Sequence, residues 1–271
     1  MDQPGTRGYN HAVGRTRQGS TSALVADDVE LAQLCRHYAE HAPPDGLGAD
    51  GPAQAEAALA DAARSARTLA SRRVPGAPVV RVRGRDRGST VVEIVTDDLP
   101  YLVESVLAGV GRVGGRVRRV IHPTVLVRRE LDGRLVGVLA MADPECPPPG
   151  ALAEAWMHLE LEPFPADELD DLAAELRQVL GEVREVAEDA DRMVATALGV
   201  AAELVAHPPP LPTVQAQDAA RLLEWLVDGH FTFLGYRHYQ VDRVDGAERM
   251  RATLASGLGV LRRDSLTSRP F

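Results

Sequence analysis

The chain contains no lysine: all 30 of its basic residues are arginine. Chemistry that needs a Schiff-base lysine, or an amine whose pKa has been lowered by burial, is therefore closed to these residues. Cysteine is nearly absent as well. Cys35 and Cys146 lie far apart and match no ligand spacing, which excludes a disulfide framework and fits a cytoplasmic setting. No apolar run reaches the roughly 18 residues of a membrane helix, so no membrane partner is expected. The first 22 residues hold arginines but no apolar stretch, so no secretory signal is expected; their Arg and Ser content is compatible with a transit peptide, and a disordered tail is the favoured reading. Excess positive charge is missing too. A net charge of −9 and a pI near 5.4 argue against nucleic acid or an anionic membrane as the main partner.

A length of 271 residues suits about two domains. Residues 1–24 are polar and without periodicity and are predicted to be a disordered tail. Residues 25–76 read as a helical N-terminal segment. Asp27 and Asp28 can cap a first helix carrying Val29, Leu31, Leu34, Cys35 and Tyr38, which stops near Pro43 and Pro44. A second, alanine-rich helix spans about 53–72 and closes before Pro75 and Pro78. His37 and His41 stand four apart on the first helix. With no third ligand nearby they are expected to be surface histidines and not a metal pair.

The best-defined stretch is 90–130. Residues 90–96 form a β-branched strand, and Asp97-Asp98-Leu99-Pro100 is a stop followed by a helix start. Leu102, Val103, Val106, Leu107, Val110 and Val113 then recur at helical spacing. Gly114-Gly115 ends that helix, and 117–127 returns as a strand. Asp132-Gly133 is a hairpin signal. Residues 155–162 alternate, with Ala155, Met157, Leu159 and Leu161 on one face and Trp156, His158, Glu160 and Glu162 on the other. A His-x-Glu-x-Glu face can suggest a metal, but solvated strand polarity is the favoured reading. A long helix follows Pro165, with a buried stripe from Leu169 to Val186 and an acidic outer face, Asp189 included, that is expected to be solvated. The count of strand, helix, three strands and helix predicts an α+β sandwich with helices on one face of an antiparallel sheet.

Residues 199–213 contain the proline run at 208–212 and are predicted to be a linker. After it, 214–271 opens a second module: an amphipathic helix to Asp228, an aromatic strand over 230–239, a hairpin around Asp245-Gly246 and the run Gly257-Leu258-Gly259-Val260-Leu261. Its aromatics are expected to pack in a core. Its sheet looks unfinished at Phe271, so the polypeptide is expected to be part of something longer.

Gly109-Val110-Gly111-Arg112-Val113-Gly114 matches the dinucleotide fingerprint G-x-G-x-x-G. That motif works only where a strand leads into the glycines and a helix follows, so that helix N-terminal amides meet the pyrophosphate. Here the helix precedes the glycines. The match is assigned to helix termination, and no cofactor is expected to bind this segment.

Several phrases together carry a resemblance. They are Val95-Thr96-Asp97-Asp98-Leu99-Pro100-Tyr101-Leu102-Val103-Glu104-Ser105-Val106, His122-Pro123, Glu154-Ala155-Trp156-Met157-His158, and Asp228-Gly229-His230-Phe231-Thr232-Phe233-Leu234-Gly235-Tyr236-Arg237. In this order they resemble the N-terminal region of the large bacterial NAD-specific glutamate dehydrogenases, over roughly 25–271. The resemblance implies an ACT-like, ferredoxin-like domain over 77–198, with a long C-terminal helix and the start of a second such module at 214–271. It further implies a non-catalytic regulatory or assembly role within a parent that oxidatively deaminates L-glutamate with NAD. The implied partners are the rest of the parent chain, sister subunits and an amino-acid effector.

Glutamate dehydrogenase chemistry uses lysines, and none is present here. The ACT plan places an effector at the turn between first strand and first helix, which is Asp97, Asp98, Leu99, Pro100 and Tyr101, with His122 as a pocket wall. Many effector-binding relatives of that plan have glycine where this chain has Tyr101. Asp97 and Asp98 are candidates for an effector ammonium group. The competing reading is that Asp98 only caps the helix. A free-standing ACT-type sensing protein is the alternative to a dehydrogenase segment.

Overall fold

The computed structural model describes residues 19–42, 51–85, 88–139, 142–244 and 247–262. Its helices are α1 (Gly19–Glu40), α2 (Pro52–Leu69), α3 (Leu102–Arg112), α4 (Leu169–Ala206) and α5 (Thr213–Trp225). The first six strands are β1 (Val79–Gly84), β2 (Thr90–Asp97), β3 (Val117–Ile121), β4 (Thr124–Arg129), β5 (Leu135–Val138) and β6 (Leu152–Leu161). They form one antiparallel sheet in the order β1-β2-β6-β4-β5, with β3 also on β6.

The last strand in sequence is the central one. β6 pairs with β2 from Thr90↔Leu161 to Asp97↔Glu154. On its other side it meets β3 over residues 158–161 and β4 over residues 152–155. β3 and β4 are thus two halves of one line, broken at His122-Pro123. Proline has no N–H to give the ladder, but the Pro123 carbonyl still accepts the Trp156 N–H at 3.1 Å. β2, α3 and the β3/β4 line make a split β-α-β unit with β6 inserted between its strands. The edge beside β2 is filled by β1, which precedes β2 in the chain. This is a mixed α/β, ACT-like arrangement whose fourth edge comes from upstream.

The sheet is covered on both faces, not on one. Val80, Val92, Ile94, Ala155, Met157, Leu159 and Leu161 pack with α3 and α4. On the opposite face Val95, Ile121, Val125, Val127, Val138 and Trp156 meet Leu34 and Tyr38 of α1 and Ala62, Ala63, Ala66 and Ala70 at α2. The small alanine face lets α2 lie close to the strands. β2 is buried from Thr90 to Thr96, as a doubly covered strand requires.

Three expectations about polarity and boundaries are corrected. The His158 face of β6 is not solvated: Glu154, Trp156 and His158 are at most 1% exposed, because α1 and α2 lie over them. Nor is Asp189 part of a solvated acidic face. It is buried on α4 and accepts the Gly259 N–H and Arg262 Nε, both at 2.9 Å. The Arg262 bonds hold its carboxyl down to about 2 against the opposing effect of burial. Residues 199–206 belong to α4, whose run of alanine, leucine, glutamate and valine propagates the helix until the prolines.

The start of α1 at Gly19 likewise shortens the tail placed at 1–24. The Pro43-Pro44 stop and the Asp245-Gly246 turn fall outside the described residues. Beyond α5 the chain makes one wide helical turn to His230, with Gly229 at φ +83°. Only then come β7 (Gly235–Tyr236), β8 (Tyr239–Val244), β9 (Ala247–Ala252) and β10 (Leu258–Gly259), paired as β7 with β10 and β8 with β9. The continuous strand expected over 230–239 is therefore interrupted. Phe233 and Tyr236 join Val186, Met193 and Leu258 in a small core, whereas Phe231 is 57% exposed.

Candidate effector site

The turn that leaves β2 splits its residues between three environments. Asp97 faces inward. Arg73 Nη2 donates to its Oδ1 at 2.6 Å, the Gly76 N–H donates to Oδ2 at 3.1 Å, and Arg184 also donates to Oδ2. Burial raises the Asp97 carboxyl, but the hydrogen bonds from Arg184 and Arg73 outweigh it and hold the group below its ordinary value. Its acceptor capacity is spent inside the fold.

Asp98 has a different task. Its N–H extends the sheet by donating to the Ala153 carbonyl at 3.2 Å, and its Oδ2 accepts the Thr124 hydroxyl at 3.2 Å. It does not cap α3. The N-cap is Tyr101, in the left-handed region at φ 65°, with no side-chain cap bond. The reason is spacing: Leu99, Pro100 and Tyr101 lie between Asp98 and the first helical position, Leu102. The first-turn amides of α3 are left without a side-chain acceptor, and Glu104 sits in that turn.

Leu99 packs against the core formed with α3 and α4. Tyr101 turns away toward the second module. Its hydroxyl lies 3.3 Å from that of Thr232, and the ring lines a 180 Å³ cavity with Val179, Val183, Leu234 and Val260.

His122 occupies the break between β3 and β4, half-buried, with Nε2 lacking a hydrogen-bond partner. Burial lowers its pKa, Asp98 and Glu104 pull it back up, and His41 lowers it further. These influences locate Asp98, Glu104, His41 and His122 at one end of the sheet. α1 completes that end. His37 Nε2 meets the Thr124 carbonyl at 3.0 Å, and the His37 and His41 rings stand edge to face at 4.6 Å. His37 is thus partly a structural residue, not a surface one. Among the described residues no group of three or more His, Cys, Asp or Glu is placed to hold a metal ion.

The six residues singled out from sequence therefore do not act as one set. Asp98 and His122 adjoin, Asp97 and Leu99 serve the interior, and Tyr101 serves the contact with the second module. Sequence reading missed Glu104, His41 and Thr124, which reach the same end from α3, α1 and β4. It also missed the partners of Asp97. Arg73, 1% exposed, bridges Asp97 and Glu154 and is matched by Arg129. An arginine between α2 and β1 with no local acid gives no sequence signal of that role.

The glycine run does not fit a dinucleotide. Gly114, at φ +79°, donates to the Gly111 carbonyl at 3.0 Å, and Gly115 donates to the Val110 carbonyl at 2.9 Å. This pair of reversed bonds closes a helix C-terminus and leaves no amide there for a phosphate. None of the described helices is long and apolar enough to cross a membrane.

Comparison with known proteins bears on the same segment. The family described as "Glutamate dehydrogenase, ACT1 domain" matches residues 34–176, from α1 into the start of α4 and just over half of the chain. The chain is 32% identical over 200 residues to an NAD-specific glutamate dehydrogenase of Halomonas elongata, covering 70% of this chain and 12% of that protein. It is 34% identical over 180 residues to that of Pseudomonas aeruginosa, covering 64% and 11%. With that of Mycobacterium tuberculosis the identity is 32% over 173 residues, covering 63% and 10%. The chain thus spans about a tenth of the length of these relatives. On the family match and the ACT-like sheet together, this chain belongs to the glutamate dehydrogenase ACT1 domain family.

Proposed function

We propose that these residues form the N-terminal regulatory region of an NAD-specific glutamate dehydrogenase, and that they hold no catalytic group of their own. The observation that carries the reading is the turn between β2 and α3. There the Asp98 carboxylate, a half-buried His122 whose pKa burial lowers, and the open first-turn amides of α3 lie at one end of an ACT-like sheet. A zwitterion suits that end. Its ammonium would meet Asp98 and its carboxylate the helix amides, where the partial positive charge of a helix start favours an anion. Deamination of L-glutamate, with NAD as oxidant, is assigned to another segment of the parent. The absence of lysine supports this, since no amine is available to hold a substrate carboxylate or polarise its carbon.

An assembly role goes with the second module. Leu222, Trp225, Phe231 and Leu234 are each half or more exposed there, and we assign that face to contacts with the remaining parent chain or a neighbouring subunit. Titration calorimetry of the whole 271-residue chain with the common amino acids tests the regulatory reading. Saturable heat for one of them, lost in Asp98→Asn, is the expected result. No heat from any of them, and no melting shift, would remove the effector and leave assembly alone.

A further inference from the structure

A second polar site lies at the β1 edge of the sheet, on the face covered by α2. Arg81 and Arg83 alternate along β1, and Arg85 follows at the same spacing. Facing them from α2 are Asp61, Arg64, Ser65 and Thr68, and the two rows line a cavity of about 390 Å³.

The charges there do not balance. Buried Glu93 receives Arg81 at 2.8 Å and Arg83 at 3.4 Å, and Glu160 receives Arg85 at 3.3 Å and Arg119 at 3.4 Å. Each carboxylate thus answers two guanidinium groups, while Arg64 is paired with Asp61 on its own helix. Among the described residues the four lining arginines face three carboxylates, Asp61, Glu93 and Glu160, which leaves positive charge in excess on a chain whose net charge is −9.

The inner edges of the guanidinium groups are fixed. Arg81 Nη2 donates to the Ser65 carbonyl at 3.1 Å and its hydroxyl at 2.7 Å, and Arg83 Nη2 donates to the same hydroxyl at 3.1 Å. Nη1 of Arg81 and of Arg83 makes no hydrogen bond among the described residues. Preset forks of this kind match oxyanions and lose little freedom on binding one.

We propose that this cavity binds a compact phosphate-type dianion, as inorganic phosphate or as the phosphate group of a small metabolite. Donors approach from two elements, guanidinium groups from the strand and the Ser65 hydroxyl with Arg64 from the helix. That arrangement suits a tetrahedral anion, whereas a planar carboxylate is satisfied by one fork. The lining holds no aromatic or aliphatic residue for a base or an apolar tail. The site is separate from the Asp98 end and does not depend on an effector binding there.

Calorimetric titration of the whole chain with sodium phosphate, against chloride at matched ionic strength, tests this. One saturable site is expected, weakened at least about tenfold in both Arg83→Gln and Arg64→Gln, each of which removes one charge-assisted donor. Thermal melting establishes that each variant is folded. Arg64 sits on the exposed face of α2, 54% accessible at its side chain, so its variant decides the matter should Arg83→Gln fail to fold. Separate titrations with succinate and with a phosphate monoester distinguish the sources. Weaker succinate binding is expected, with the monoester equal to phosphate or tighter. The proposal is overturned by the absence of saturable phosphate heat, by unchanged affinity in the folded variants, or by succinate binding at least as tightly as phosphate.

Discussion

Replacing Glu154 by Gln removes the one carboxylate that holds two buried guanidinium groups. Arg73 donates to its Oε1 through Nε at 3.0 Å and Nη2 at 2.6 Å, and Arg129 adds bonds to both oxygens at 2.6 and 2.8 Å. Trp156 Nε1 donates at 3.0 Å. All three carboxylate and guanidinium side chains are at most 1% exposed. An amide of the same shape accepts on one oxygen only and carries no charge, so Arg73 and Arg129 keep their desolvation cost with less compensation. Breaking a buried pair in this way costs about 3–5 kcal/mol. In a chain of this size that lowers the melting temperature by roughly 10 °C.

Tryptophan fluorescence reads the site directly, because Trp156 is buried in the network whereas Trp225 is half-exposed. A Trp225→Phe background therefore reports on Trp156 alone. Urea unfolding of that background with and without Glu154→Gln should differ by several kcal/mol. A difference under about 1 kcal/mol, the range of an exposed pair, would refute the claim that α1 and α2 seal a charged network against the sheet.

Other outcomes follow from the same geometry. Burial holds His158 neutral down to about 4, so the unfolded chain takes up a proton there first as pH falls below 6.5. Stability should rise with pH between those values, and His158→Leu should flatten the rise by about 3 kcal/mol at most. Melting curves at stepped pH decide this. Within the glycine run, a Cβ on Gly111 would meet nothing within 4 Å, whereas one on Gly115 would lie 2.6 Å from Val110 Cγ1. Gly111→Ala should therefore stabilise by up to about 1 kcal/mol, and Gly115→Ala should destabilise by about 1–3 kcal/mol. The reverse order in denaturant midpoints would reopen the function of that loop. Asp189→Asn should loosen the Gly259–Arg262 segment from α4 at a cost of about 1–3 kcal/mol, seen as faster limited proteolysis after residue 213 while the sheet stays protected.

How much of this was legible in the sequence depends on whether the signal was local. The β2–α3 turn, the Gly114 helix end, the Asp132-Gly133 hairpin and the buried stripe of α4 rest on periodicity and turn chemistry, and the structure has them where the residues point. β1 was missed although Val80 and Val82 alternate with Arg81 and Arg83, because two prolines just before it read as a loop. The strand order, with β6 between β2 and β4, is a long-range pairing that no window contains. The helical segment before β1 could be seen, but not what it covers. The missing clue was in β2, whose residues from Thr90 to Thr96 leave no face suited to water. At the candidate site, Asp98 and His122 were proposed from resemblance. Their neighbours Glu104, His41 and Thr124 come from three separate elements, and only the fold brings them together. The cap assigned to Asp98 failed by three residues of spacing, since the helix takes Tyr101 as its N-cap, a matter of backbone geometry that composition does not encode.

The most direct test of a regulatory segment is the formation of NADH from L-glutamate and NAD by the purified 271-residue chain. No turnover above the protein-free rate is expected, because no lysine is available for the reaction and the only dinucleotide-like glycine run closes a helix C-terminus. Saturable production of NADH with stoichiometric 2-oxoglutarate, from this chain alone, would contradict the assignment outright.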